Sequence, residues 1–195
     1  MKGFAGRGPL YTQETIALSL NAVERHGISQ IVVASNTGET ALSLIEASEK
    51  RSLPLQIICV THVTEFKAGC HNELPDEQRQ RLLDHGCRIL TAGHALSGAE
   101  RCFSQTFGGI SHTEVVAATL RLFGQGIKVA VEISLMARDA GLVAFGQPII
   151  AIGGSGRGAD ASIILTPGTS AHLLDTKIHA IICKPDLFDS PVSSI

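Results

Sequence analysis

The sequence has few aromatic residues: Phe, Trp and Tyr make up 4% of its 195 residues, with no Trp and one Tyr. Hydrophobic residues nevertheless make up 44% of the chain, and it contains 20 glycines. Its core must therefore be built from aliphatic side chains, which favours α/β layers over an aromatic-rich β-sandwich. The length favours one α/β domain with insertions, spanning residues 1–195.

An excess of positive charge is also missing. The chain has 16 Lys and Arg against 18 Asp and Glu, for a net charge of −2, and the basic residues are scattered. Nucleic-acid binding needs clustered cations, so we do not expect it. Residues 1–15 lack an apolar signal segment, and no stretch reaches the roughly 18 to 20 apolar residues of a membrane span. We expect a cytoplasmic protein that does not engage a membrane.

No C-x-x-C pair occurs among the five cysteines. Cys59, Cys87 and Cys183 lie in or beside apolar runs, which predicts reduced thiols buried in the core. The histidines and cysteines of residues 62–71 match no standard zinc spacing, so we expect no metal site.

Apolar periodicity predicts alternating helices and strands. The first helix is predicted to run from an N-cap at Thr12 to a stop at Gly27. The unbroken apolar run at 31–35 predicts a parallel strand that is covered on both faces. Further strands are predicted at 55–61, 87–92, 148–154, 161–167 and 177–185, and further helices at 38–50, 76–86, 112–123 and 128–141.

These elements predict a three-layer α/β/α fold with a mostly parallel sheet. About six residues separate strands 148–154 and 161–167, which predicts an antiparallel pair at the sheet edge. The segments 62–75 and 93–109 are predicted to be long loops, and such length suggests a functional role. The two ends, 1–10 and 187–195, are predicted to be loosely ordered.

The segment SNTGET (35–40) joins the buried strand 31–35 to a helix. Such a turn leaves backbone N–H groups free at a helix N-terminus, and its hydroxyl groups add donors, so it can bind an anion. The alternative is a plain strand-to-helix turn in which Thr37 caps the helix. Composition alone leaves both interpretations open.

The stretch ASNTGETALSLIEASEKRSLPLQIICVTHV (34–63) resembles the C-terminal domain of pyruvate kinase, where a strand leads into a T-x-S-G-x-[ST]-A loop and a helix. PIIAIGGSGRGADASIILTP (148–167) is similar to the last hairpin of that domain. The resemblance implies that the first loop holds a phosphate, as it does for a sugar-phosphate effector. Residues 62–147 depart from the kinase domain and the catalytic barrel is absent, so we expect no kinase activity.

A closer resemblance links the chain to the small free-standing pyruvate kinase α/β domain proteins of archaea and bacteria. It is carried by GHALSGAER (93–101), TLRLFGQGIKVAVEISLMARDAGLV (119–143) and GGSGRGAD (153–160), and it covers nearly the whole chain. It implies the fold of the pyruvate kinase C-terminal domain. It also implies flavin mononucleotide (FMN) as a cofactor, since some members bind it.

An FMN ligand assigns roles to particular residues. Its phosphate would lie in the turn 35–40, and its ribityl chain would meet polar groups such as Thr61, His62 and Ser97. Its ring would need an apolar slot, for which Leu96 and Met136 are candidates. Lys128 and Glu132 are four apart on one helix face, which predicts a surface ion pair; they become polar groups at the ring only if that face is buried. The candidate residues are Ser35, Asn36, Thr37, Gly38, Thr40, Thr61, His62, His94, Leu96, Ser97, Lys128, Met136, Gly154, Ser155, Gly156 and Arg157.

The glycine-rich loop 154–159 imitates a dinucleotide fingerprint, but a strand follows it instead of a helix. We expect this turn to bring Arg157 or its backbone to a phosphate. Asp160 either caps the turn, which we favour, or accepts a ligand hydroxyl. The segments 35–40, 93–109 and 153–160 are predicted to enclose one ligand.

The sequence contains no assembled catalytic arrangement, since Ser97 lacks the G-x-S-x-G elbow. Whether the protein is an enzyme is left open. We expect an FMN-binding protein; the alternatives are a non-catalytic sensor for a phosphorylated metabolite and a structural subunit. The resemblance to a domain that contributes to a subunit interface also suggests a homo-oligomer.

Overall fold

Apolar runs along the chain form the strands of a central sheet. The computed structural model describes residues 1–186 and 188. Within them the strands are β1 (Lys2–Phe4), β2 (Gln30–Ala34), β3 (Gln56–Thr61), β4 (Arg88–Thr91), β5 (Ile149–Gly153), β6 (Ala161–Thr166) and β7 (Lys177–Pro185). The α-helices are α1 (Thr12–His26), α2 (Glu39–Lys50), α3 (Asp76–Asp84), α4 (Ala99–Phe107), α5 (His112–Arg121) and α6 (Gln125–Asp139).

The seven described strands form one sheet in the order β1-β7-β6-β5-β2-β3-β4. The pairs β2–β3, β3–β4, β2–β5 and β1–β7 are parallel, whereas β6 is antiparallel to both β5 and β7. The predicted α/β fold, mostly parallel with antiparallel pairing toward one edge, is confirmed. The antiparallel pairing of residues 148–154 with 161–167 is confirmed as well.

Helices cover both faces of the sheet, so buried strand residues alternate between two cores. Ile31 and Val33 of β2 pack with α1, α2 and α3 on one face. Val32, between them, packs with α5 and α6 on the other face. This double coverage explains why β2 reads as an unbroken apolar run.

The predicted helix ends follow local signals. Gly27 ends α1 in the left-handed conformation with φ 63°, as predicted. The ambiguous stretch 128–141 is helical, as predicted, although α6 begins earlier, at Gln125. Thr12 is the first residue of α1 and not its N-cap; its Oγ1 instead accepts a hydrogen bond from the Ala159 amide at 3.0 Å. No helix in the described part of the chain is both long and apolar enough to span a bilayer.

Two predictions of irregular structure were wrong. Lys2–Phe4 forms β1 beside β7, and Phe4 is buried and stacks on Tyr11 with ring centroids 4.7 Å apart. A three-residue strand has no periodicity of its own, so only its pairing reveals it. The segment 93–109 contains α4, whose nine residues are all at least partly exposed. The predicted loose end at 187–195 lies outside the described residues, apart from Phe188.

The three cysteines predicted in the core are buried free thiols. Burial raises the pKa of Cys59 well above its usual range, that of Cys87 to about 11 and that of Cys183 to about 12. These thiols are therefore protonated at neutral pH and act as small apolar side chains.

Candidate functional site

A cavity of about 520 Å³ lies at the carboxyl ends of β2, β3 and β5. The chain passes from β2 outward to β3 and β4 and then returns to β5 on the other side of β2, so the strand order reverses at β2. Open α/β sheets bind ligands at such a point, and the volume falls in the range of small-molecule sites, about 300 to 1,000 Å³. This cavity is the candidate functional site.

The turn 35–40 forms one side of the cavity and presents backbone donors to it. Ser35 is buried, and its Oγ accepts a hydrogen bond from the Ala41 amide at 3.3 Å. Helix α2 follows directly, without a side-chain cap at Gly38. None of the hydrogen bonds found among the described residues uses the amides of Gly38, Glu39 or Thr40. The turn therefore offers several free amides together with the positive end of a helix dipole.

The loop 154–158 adjoins this turn at the cavity. The buried Asp160 holds the loop, because its Oδ2 accepts hydrogen bonds from the amides of Ser155 at 3.2 Å and Gly8 at 2.8 Å. The capping role that we favour for Asp160 is confirmed. Arg157 is exposed and lines the cavity. We call the residues 35–40 and 154–158 together the amide wall.

The rings of His62, Phe66 and His94 lie next to one another at the cavity. The ring of His62 lies 3.9 Å from Phe66 and 5.4 Å from His94, measured between centroids. His62 Nδ1 donates to Glu73 at 2.6 Å, and the Asn36 side chain donates to its Nε2 at 3.1 Å and accepts from its backbone amide. These contacts fix the plane of the imidazole at the cavity.

Glu73 organises the loop between β3 and α3. Its carboxylate also pairs with Lys67. Burial acts to raise the pKa of Glu73, but the hydrogen bonds from Lys67 and His62 outweigh it and hold the pKa below its usual range. The carboxylate is therefore ionised at neutral pH and ties this loop to the cavity.

The opposite side of the cavity carries charged side chains. Lys128 and Glu132 of α6 are each 4% exposed, and Lys128 Nζ lies 2.5 Å from Glu132 Oε2. The predicted ion pair forms, but its predicted surface position was wrong, because α5 and the 93–98 loop pack over α6 and bury it. Arg101 and Arg121 also line the cavity. We call Arg101, Arg121, Lys128 and Glu132 the charged wall.

Burial controls protonation beside the charged wall. It lowers the pKa of Lys128, although Glu132 opposes the shift. Burial also lowers the pKa of His94, again against the pull of Glu132, which favours a neutral imidazole at neutral pH. The other oxygen of Glu132 accepts hydrogen bonds from the Leu96 amide at 3.0 Å and Ser97 Oγ at 3.4 Å. Glu132 thus anchors the 93–98 loop to α6.

The structure brings most of the predicted site residues to this one cavity. Those that line it are Ser35, Asn36, Thr37, Thr40, Thr61, His62, His94, Ser97, Lys128, Met136, Gly154, Gly156 and Arg157. The three predicted enclosing segments, 35–40, 93–109 and 153–160, all contribute lining residues.

Three predicted site residues do not line the cavity. Leu96 is 1% exposed and belongs to the core under α5 and α6, so its predicted place at the ring was wrong. The Ser155 amide is bound to Asp160. Gly38 has φ 86°, and a Cβ built there would lie 2.9 Å from Leu74 Cδ1, so this position faces α3 and not the cavity.

Sequence reasoning missed several lining residues. Phe66, Lys67 and Glu73 lie in the segment 62–75, whose unusual length was the available signal. Arg101 and Arg121 lie on exposed helix faces, and no local pattern distinguishes them from solvated charges. Within the described residues no three His, Cys, Asp or Glu side chains converge in a way that could hold a metal ion.

Comparison with known proteins identifies the family. The model of the pyruvate kinase alpha/beta domain matches residues 13–165, so the chain belongs to this family. A solved structure of Cryptosporidium parvum pyruvate kinase in complex with ADP is 17% identical, with a TM-score of 0.35. The match covers 88% of this chain and 23% of that one, so the chain corresponds to about a quarter of the kinase.

Proposed function

We propose that the chain binds a phosphorylated small molecule in this cavity, and that the ligand is FMN. The observation that carries the proposal is the amide wall. Two loops distant in sequence, 35–40 and 154–158, meet at one cavity, and both lie at the ends of buried strands. Free amides at a helix N-terminus beside an arginine are the donors that a phosphate group uses.

The donors of the amide wall fit a phosphate better than a neutral group. Glu39 and Thr40, whose amides make no hydrogen bond among the described residues, line the cavity at the start of a helix of 12 residues. Thr37 and Thr40 line the cavity and bring hydroxyl groups, and Arg157 supplies a full positive charge. A dianionic phosphate has several oxygens that can accept from such donors, whereas a neutral ligand has a single carbonyl.

The rest of the cavity suits a planar ring with polar edges. Phe66, His62 and His94 form a group of neighbouring rings, and Ile133 and Met136 add apolar surface on the α6 side. Stacking and sulfur contacts stabilise flat heterocycles. Thr61 and Ser97 line the cavity with hydroxyl groups that a polyol chain could contact, beside the His62 ring, whose two nitrogens are already bound to Glu73 and Asn36. FMN combines a phosphate, a polyol and a tricyclic ring in this order.

A second candidate is a non-catalytic binding module for a different phosphorylated metabolite. The observation that favours it is the exposure of the cavity-lining Phe66, Arg101 and Arg157, which leaves the cavity open to more polar ligands. Such a protein would bind a sugar phosphate through the same amide wall and would not need the aromatic group.

Binding of FMN, riboflavin and a hexose monophosphate to the full chain tests both candidates. Flavin fluorescence and calorimetry report binding. We expect FMN to bind with its absorbance spectrum shifted, and riboflavin to bind at least about tenfold more weakly, because it lacks the phosphate that two or more charge-assisted hydrogen bonds would hold. Saturable hexose phosphate binding without FMN binding would favour the second candidate, and binding of neither would contradict both.

A matched pair of variants locates the phosphate. Thr37 is exposed at the cavity, so Thr37→Glu adds a negative charge there and Thr37→Gln adds a similar volume without charge. We expect Thr37→Glu to weaken FMN by about tenfold or more and to affect riboflavin little, with Thr37→Gln close to the parent protein. Equal FMN affinity in the two variants would place the phosphate elsewhere.

A further inference from the structure

The charged wall holds more positive charge than its own carboxylate neutralises. Arg101, Arg121 and Lys128 line the cavity from α4, α5 and α6, and Glu132 is the carboxylate among them. Close positive charges repel one another in a partly desolvated site. An anion bound between them would relieve this repulsion.

Lys128 has donors that the protein leaves unused. Its ammonium carries three N–H groups, and among the described residues its only hydrogen-bond acceptor is Glu132. The other oxygen of Glu132 already accepts two hydrogen bonds, from the Leu96 amide and from Ser97 Oγ. Lys128 is 4% exposed and lines the cavity, so an acceptor on a ligand could bind its free N–H groups.

Arg101 and Arg121 can bind the same anion as Lys128. Arg121 Nε donates to Gln125 Oε1 at 2.7 Å, which links the end of α5 to the start of α6 and leaves the terminal N–H groups available. Arg101 lies in the first turn of α4, at the same cavity. A guanidinium presents a planar fork that matches carboxylate and phosphate oxygens.

The charged wall is separate from the amide wall. Helix α6 packs on one face of the sheet, whereas α2 lies on the other face and α1 holds the loop 154–158 through Thr12. The two sets of donors thus come from different elements of the fold, and each can face an anionic group of its own.

We propose that Arg101, Arg121 and Lys128 form a second anion-binding subsite, which takes the carboxylate or phosphate of a second small molecule while the amide wall holds the first ligand. The inference rests on the proposed function for the identity of that first ligand. It assigns the charged wall to an anionic co-ligand that binds beside the flavin.

The test uses the FMN-loaded full chain, titrated with oxalate and separately with pyrophosphate at constant ionic strength. Calorimetry measures binding of the anion, and flavin absorbance measures how much FMN stays bound. We expect saturable binding of at least one probe with FMN retained. The double variant Arg101→Gln/Arg121→Gln should weaken that binding by about tenfold or more, because two charge-assisted contacts are lost. Both arginines are exposed, so the fold should survive.

Arg81→Gln is the matched control, because Arg81 is an exposed arginine on α3 that does not line the cavity. We expect it to bind the probe like the parent protein. Absence of saturable binding, release of FMN by the probe, or equal weakening by the control would overturn the inference.

The apo protein separates the two proposals. Probe binding that depends on Arg101 and Arg121 in a protein that takes up no FMN would support the second subsite and contradict the flavin. FMN uptake without probe binding would contradict the second subsite alone.

Discussion

The two walls of the cavity use different parts of the chain to offer positive potential. In the amide wall the donors are mainly backbone N–H groups held by turn geometry, with Arg157 as the one arginine. In the charged wall they are side chains from three helices, and one ammonium is buried. A backbone site leaves a local mark of glycine and hydroxyl residues, whereas a side-chain site assembles from residues with no shared sequence pattern.

The largest expected effect comes from breaking the charged wall at its buried pair. Lys128→Met leaves Glu132 buried without its cation, so we expect the free energy of unfolding to fall by about 3 to 5 kcal/mol. Urea unfolding measures the loss. The double variant Lys128→Met/Glu132→Gln removes both charges and should recover most of it. A single variant as stable as the parent protein would mean that the pair is solvated.

In the amide wall, the substitution that we expect to lower stability most is at Gly38, because of its backbone conformation. Gly38→Ala forces a side chain onto φ 86° and toward Leu74 Cδ1, 2.9 Å from the new Cβ. We expect the free energy of unfolding to fall by about 1 to 3 kcal/mol. Gly27→Ala is the control, since it has positive φ in open space, and it should cost less. An equal cost at both sites would show that the contact with Leu74 adds nothing.

A side-chain change in the amide wall should cost less again. Ser35→Ala removes the hydroxyl that accepts from the Ala41 amide in the first turn of α2. Loss of such a capping interaction lowers the free energy of unfolding by about 1 kcal/mol. Thermal unfolding measures the loss of stability in this variant. Ser29→Ala, at an exposed position, is the control. No difference between the two variants would mean that water replaces the hydroxyl.

The smallest effect concerns an ion pair outside the charged wall. Glu73, with its lowered pKa, stabilises the protein fully above the pKa of an unfolded Glu, about 4.3, and this contribution is lost as pH falls through the lower folded value. Stability measured against pH should therefore differ by a constant amount between the parent protein and Glu73→Gln above that range, and the difference should shrink below it. A difference that grows toward acid pH would contradict this sign.

The sequence predicted the long strands and the described α-helices other than α4, because their signals are local. Gly27 ended α1, and the short connection between strands 148–154 and 161–167 predicted the antiparallel pair β5–β6. It also indicated the turn 35–40 and the loop 154–158 as parts of one site. It failed at β1, whose three residues have no pattern apart from their partner β7.

The sequence by itself determined the layered α/β architecture and the amide wall, because periodicity and turn chemistry act over a few neighbouring residues. Only the tertiary structure decided which side of each element meets the cavity. Helical spacing allowed Lys128 and Glu132 to be exposed, and packing against α5 and the 93–98 loop buried them. Composition placed Gly38 at the ligand, and the fold turned it toward Leu74. Burial and direction depend on what packs against a residue, and distant parts of the chain supply those neighbours.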